Sequence, residues 1–276
     1  MTGAGDHVAA EGRIAETAVA GRAVGALGRA ALGHPRSVVV WTILLGTALR
    51  VLFAATGIDI AHSEAYYTAT ARHLALGYFD HPALSFWLTH AARALAGSDS
   101  LLVLRAPYIL LFAGTTWIIY RITARAFGEA AGACAAVLLN LSPLFTVSMA
   151  GWVPPDGPML FCLAAAAWCV LVIADLPSGN RRKAPPLWLA AGALFGLAAL
   201  AKYYAVLMGL GVALFALTSA RHRGWFAQPW PYLALAIALL FFAPTIIWNV
   251  HNGWISFAFQ GERAFGEGFS VLSFLD

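Results

Sequence analysis

The side chains able to do chemistry are scarce in this chain and gather in a few short segments between long apolar runs. The first segment reads Ser63-Glu64-Ala65-Tyr66-Tyr67 and continues to Gly77-Tyr78-Phe79-Asp80-His81-Pro82. A second is Trp152-Val153-Pro154-Pro155-Asp156-Gly157-Pro158. Lys202-Tyr203-Tyr204 interrupts a later apolar run, and Trp248 to Trp254, then Gln260-Gly261-Glu262-Arg263, close the series. A carboxylate such as Glu64, Asp80 or Asp156 can take a proton, a cation can face a developing anion, and aromatic rings can stack on a planar or sugar-like face. Each has a plainer reading. Glu64 also reads as an exposed loop carboxylate, Asp156 as a helix cap placed well for the dipole, and most of the aromatics as an interfacial belt. Asp80-His81 alone offers too few ligands for a metal, so no metal site is assigned and divalent-metal dependence stays open.

The elements that must position these residues are set by composition. At 61% hydrophobic and 11% charged over 276 residues, the chain lies far from soluble proteins, which are roughly 45–50% apolar and about 25% charged. Lys and Arg number 17 against 13 Asp and Glu, an excess too small and too dispersed for nucleic-acid binding. Cys134, Cys162 and Cys169 fall inside apolar runs and match no zinc or redox spacing. The pattern is that of an all-α, polytopic transmembrane helical bundle. Runs of about 20 apolar residues predict seven spans, over 37–56, 101–120, 130–150, 157–174, 187–204, 205–219 and 229–248.

Charge placement orients the bundle. The run 187–219 is too long for one crossing, and two crossings with a turn near Lys202 keep the basic groups on either side of it in one compartment. Arg13, Arg22, Arg29, Arg36, Arg121, Arg125, Arg181, Arg182, Lys183, Arg221 and Arg223 then lie inside, against Arg72, Arg93 and Arg263 outside. That bias predicts a cytoplasmic amino terminus, with residues 1–36 as an Ala-, Gly- and Arg-rich tail and 37–276 as the membrane module. The segments singled out above all fall on the outer side. The first external loop, about 57–100, includes an amphipathic stretch from Leu84 to Leu95 suited to the membrane surface. Arg105, read as lying toward the inner part of a span, is open to two roles: a structural pair with a carboxylate or helix end, or an anion contact. Arg50 invites the structural role more strongly.

In order and spacing these segments resemble the polyprenyl-phosphate-dependent glycosyltransferases of the GT-C fold. More narrowly they are similar to the bacterial branch of the dolichyl-phosphate-mannose protein mannosyltransferase family, glycosyltransferase family thirty-nine with its aminoarabinose- and galacturonic-acid-transferring relatives. The residues carrying the resemblance are Ser63-Glu64-Ala65-Tyr66-Tyr67, Gly77-Tyr78-Phe79-Asp80-His81-Pro82, Arg105, Pro155-Asp156-Gly157-Pro158, Ala201-Lys202-Tyr203 and Trp248-Asn249 with the following His-Asn-Gly-Trp.

The resemblance implies transfer of a sugar from a polyprenyl-phosphate donor to an acceptor hydroxyl of an envelope glycan, lipid or protein, at the outer face of the inner membrane. The expected partners are that donor, membrane lipids and the acceptor, with no nucleic acid and no cofactor assigned. Glu64 is the expected base, Asp156 the second acidic group, and Asp80 an assistant or replacement for Glu64. His81, Tyr66, Tyr67, Lys202, Arg105, His251 and Arg263 are expected to contact substrate, Lys202 foremost at the phosphate. Two departures stand out. Ser63 occupies the place of the family's usual Asp, which favours as a rival reading a catalytically inactive relative that binds lipid-linked sugar or scaffolds another enzyme. The resemblance also covers the amino-terminal part of such an enzyme, whose members usually continue into further spans.

Overall fold

Every apolar run forms a helix in the computed structural model, which describes residues 33–56, 60–176 and 184–265. Helix α1 is Pro35–Ala55. The first loop holds α2 (His62–Thr70) and α3 (Leu84–Ala96). There follow α4 (Leu101–Phe127), α5 (Glu129–Leu141), α6 (Asp156–Asp175), α7 (Ala184–Ala201), α8 (Val206–Thr218), α9 (Trp230–His251) and α10 (Ile255–Phe265). Five of them, α1, α4, α6, α7 and α9, are long and apolar enough to cross a membrane, and α5 and the Tyr203–Thr218 segment are shorter apolar helices. The protein is an all-α, multi-pass membrane protein, with no strand among the described residues. Residues 1–32 of the expected tail, and Arg181, Arg182 and Lys183, lie outside the described residues.

The third expected span, 130–150, is broken. Helix α5 stops at Leu141, Ser142 turns to an extended ψ of 119°, and a π-helical turn runs from Leu144 to Met149. Pro143 explains the stop, because it has no N–H to donate and drives the residue before it out of the helical region. A helix end at membrane depth leaves carbonyls without partners, and polar side chains collect there. Thr146 Oγ1 donates to Asn140 O at 2.5 Å, and Arg50 Nη2 reaches Asn140 Oδ1 at 3.2 Å and Thr146 Oγ1 at 3.3 Å. The guanidinium lies 4.6 Å from the centre of the Phe112 ring. Arg50 thus takes the structural role against a helix end, where the dipole favours a cation.

Helices α7 and α9 pack closest where α7 carries Gly192 and Gly196, one helical turn apart. A Cβ on Gly192 would overlap the backbone of Ala234, and one on Gly196 would sit 2.6 Å from Ala238 O and from Phe241 Cβ. Small residues four apart let two membrane helices approach to backbone contact, where dispersion is the main attraction. Gly192→Val is expected to lower stability by about 1–3 kcal/mol through overpacking, read as an earlier thermal transition of the detergent-solubilised chain.

Contacts sort the polar residues to two ends of the bundle. At one, Arg36 pairs with Glu129 at 3.3 Å and Arg125 with Asp175 at 2.6 Å, while Arg121 and Arg125 lie over the Trp168 ring. The starts of α1 and α5 therefore meet the ends of α4 and α6. At the opposite end the first loop packs on α4. The expected amphipathic stretch is α3, whose Ser85, Phe86 and Thr89 are buried. Tyr108 fixes it: the hydroxyl donates to Ser85 O at 2.9 Å and lies 2.9 Å from Thr89 Oγ1.

Candidate active site

The floor of the site is a buried ion pair. Arg105 lies in the first turns of α4, at the end where the loop packs, not toward the inner part of a span. Its Nε donates to Glu64 Oε1 at 2.7 Å and its Nη2 to Glu64 Oε2 at 2.6 Å. The two side chains are 3% and 1% exposed, so neither faces the open site. Glu64 is the third residue of α2, and its Oε2 also accepts the Ala61 N–H at 3.4 Å, half of a capping box. One bidentate pair therefore starts α2 and clamps it to α4. Ser63 beside it is exposed.

Above this floor sits the Phe79-Asp80 tip. Tyr78 N–H donates to His81 O at 3.1 Å and Gly77 pairs with Pro82, so the chain doubles back sharply. The approach is tight, since a Cβ on Gly77 would meet Trp248 of α9 at 3.0 Å. Tyr66 OH donates to Asp80 Oδ1 at 2.7 Å, and His81 Nδ1 stands 2.9 Å from Asp80 Oδ2 without hydrogen-bond alignment. Burial works to raise the Asp80 carboxyl, but His81 and the Tyr66 hydroxyl outweigh it and hold the group below its ordinary 3.8. The Tyr66 and Tyr67 hydroxyls are pushed up, first by burial and then by Asp80, and stay protonated donors. The Asp80 side chain keeps 19% exposure, which leaves one edge reachable.

The third part joins α6 to the turn after α7. Pro155 occupies the cap position, so Asp156 begins α6 without capping it through its side chain. Its Oδ1 instead accepts from Lys202 Nζ at 2.7 Å, with the two side chains 25% and 21% exposed. An ammonium has three donors, and among the described residues only the one to Asp156 is hydrogen-bonded, with the Tyr204 ring 5.6 Å away. Lys202 is held at the break between α7 and the short turn Tyr203–Ala205, as the charge pattern requires.

Tyr67 ties the parts together. It stacks edge-on against His81, with ring centroids 5.5 Å apart, and lies within electrostatic reach of Asp80, Asp156 and Arg263. Glu64, Tyr66, Tyr67, Asp80, His81, Arg105, Asp156 and Lys202 thus share one end of the bundle. His251, exposed at the end of α9, makes no hydrogen bond or ion pair among the described residues, and Arg263 lies exposed over the Phe259 ring at 5.7 Å. No group of three or more His, Cys, Asp or Glu suited to a metal occurs among the described residues.

Residues 80–248, more than half of the chain, match the family model of the dolichyl-phosphate-mannose-protein mannosyltransferases. The chain belongs to that family. It is therefore a membrane glycosyltransferase of the GT-C type, which draws on a lipid-linked sugar. No curated protein and no solved structure gives a significant match. The matched stretch holds Asp80, His81, Arg105, Asp156 and Lys202, whereas Glu64, Tyr66 and Tyr67 precede it and His251 and Arg263 follow it.

Sequence reasoning groups these residues at one end, Arg105 excepted, but misses several contacts of α10 with the site. Tyr203 OH lies 2.5 Å from Ser256 Oγ, Phe259 packs on Phe79 with centroids 4.6 Å apart, and Gln260 Nε2 donates to Asp80 O at 2.6 Å. The amphipathic spacing of Ile255 to Phe265 is the signal that could have placed a helix there.

Proposed function

We propose that the chain transfers a single sugar from a polyprenyl-phosphate donor to the hydroxyl of an envelope glycan, lipid or protein acceptor, at the external face of a bacterial inner membrane. The acceptor oxygen attacks the anomeric carbon, the bond from that carbon to the phosphate oxygen breaks, and polyprenyl phosphate leaves. Asp80 takes the acceptor proton. Lys202, held by Asp156, turns its remaining donors to the phosphate as negative charge collects there. Tyr67 and His81, packed together, line one side of the sugar. Glu64 and Arg105 hold the floor. His251 and Arg263 contact the donor or acceptor from the rim.

The observation carrying this assignment is the difference in access between the acids. Asp80 offers a reachable edge and Asp156 is tied to a cation, whereas both Glu64 oxygens are buried against Arg105. The outer face rests on the excess of basic residues toward the opposite end. The test uses the purified full chain in lipid nanodiscs, offered polyprenyl-phosphate-linked mannose, aminoarabinose and galacturonic acid in turn, with native membranes as acceptor source. Release of polyprenyl phosphate above a protein-free control is expected from one donor, and release from none would overturn the reading. Impermeant thiol reagents on a cysteine introduced at His62, in a cysteine-free background, are expected to label from outside only.

Ser63 supports a second reading, that of an inactive, donor-binding relative, because a hydroxyl there cannot replace a carboxylate as proton acceptor. Ser63→Asp separates the two. With Asp80 as base, transfer is expected to stay within about twofold of the parent, the scale of an exposed substitution. A rise of tenfold or more would mark a degenerate site.

A further inference from the structure

Helix α10 lies outside the matched stretch and is reached through two consecutive left-handed residues, Gly253 at φ 64° and Trp254 at φ 61°. A left-handed Trp is a genuine outlier for a bulky residue and persists where surroundings enforce it. The Trp254 N–H donates to Asn249 O at 2.8 Å, so the reversal is locked to the end of α9. That reversal folds α10 back over the Phe79-Asp80 tip.

Three contacts then bind α10 to the site from one side. Ser256, fully buried, meets the Tyr203 hydroxyl one residue from Lys202. Phe259 packs against Phe79, and Gln260 donates to the backbone carbonyl of Asp80 at 2.6 Å. The carbonyl belongs to the residue whose carboxylate Tyr66 and His81 hold from the other side. Asp80 is consequently fixed at both its backbone and its side chain, by elements 180 positions apart in one case and 14 in the other.

We infer that Gln260 is a positioning residue for transfer, setting the Asp80 carboxylate from behind through its peptide carbonyl. This rests on the reading of Asp80 as base. Without the amide donor the tip is tethered at one end, and a carboxylate free to swing spends less time in reach of the acceptor hydroxyl. The Tyr66 and His81 contacts that depress its pKa loosen at the same time.

The experiment compares Gln260→Met, which keeps length but cannot donate, with Gln260→Lys, which keeps a donor, in the full chain in nanodiscs. The donor is whichever polyprenyl-phosphate sugar the parent consumes. Gln260→Met is expected to lower kcat about tenfold with KM for the donor within about twofold, and to move the acid limb of the kcat–pH profile upward. Gln260→Lys is expected to recover most of the loss. Short-reagent crosslinking of Phe79→Cys with Phe259→Cys, read on a gel, reports docking of α10 independently of turnover. A parental kcat and pH profile in Gln260→Met, or no crosslink, would overturn the inference while an inactive Asp80→Asn still upheld the base. Parental activity in Asp80→Asn would overturn the base itself, and the inference with it.

Discussion

Replacing Asp80 with Asn is expected to reduce kcat by about 10²–10⁴-fold, the usual contribution of a placed proton acceptor, with a small change in KM for the donor. Asparagine has nearly the same shape and its oxygen can still accept the Tyr66 hydroxyl, so the tip should keep its place. What disappears is basicity. The sign of the pH dependence follows from the same contacts. The folded-state pKa of Asp80 lies below 3.8, so the carboxylate is ionised above that value and takes up a proton only as pH falls through the lower, folded one. Between about pH 5 and 8 no loss of activity is expected from its titration. Tyr66→Phe, which removes one stabilising donor, is expected to raise the pKa and move the acid limb upward. Stopped assays from about pH 8 down to about pH 3, below the ordinary carboxylate value, with thermal unfolding as a control for folding, check both variants.

The span pattern was legible because it depends on runs of one chemical type. Pro and Gly punctuation, about 20 apolar residues per crossing and the segregation of Arg and Lys bring out seven apolar helices and the turn at Lys202. Pro143 was equally visible, yet the run 130–150 reads as one span because hydropathy does not register a missing N–H. The pairings were hidden for a different reason. Glu64 and Arg105 stand 41 residues apart and Lys202 and Asp156 46, and nothing local to either member says which partner it meets. A carboxylate in a polar loop reads as accessible, and it takes the packing of α2 on α4 to bury Glu64. Ser63 is visible in the sequence as a departure that leaves Glu64 or Asp80 as the base, and the burial of Glu64 against Arg105, seen only in the fold, favours Asp80. The α10 contacts were the hardest to read, because a short amphipathic segment after a glycine turn fits a surface loop as readily as a helix folded onto the site.

Breaking the buried pair should be the most disruptive single change in the site. Glu64→Leu leaves the Arg105 guanidinium, 3% exposed, without its counter-charge, and Arg105→Met does the same to a carboxylate that is 1% exposed. Each is expected to cost about 3–5 kcal/mol of stability, most of it the penalty of the stranded charge. The double variant Glu64→Leu with Arg105→Met strands no charge, giving up only the long Ala61 N–H contact, and fills similar volume with apolar atoms. It is therefore expected to recover much of the loss, a coupling that thermal unfolding of all four forms in one detergent measures. The same cycle separates two chemistries. If Glu64 is a clamp, the recovered double variant holds α2 and Tyr66 near their places and retains transfer within about tenfold of the parent, a residual misplacement cost on the scale of a small geometric error. If Glu64 accepts the proton, that variant folds and yet loses transfer by the 10²–10⁴-fold expected of Asp80→Asn. Because the double variant is judged by activity after stability is restored, the answer does not depend on how badly either single substitution folds.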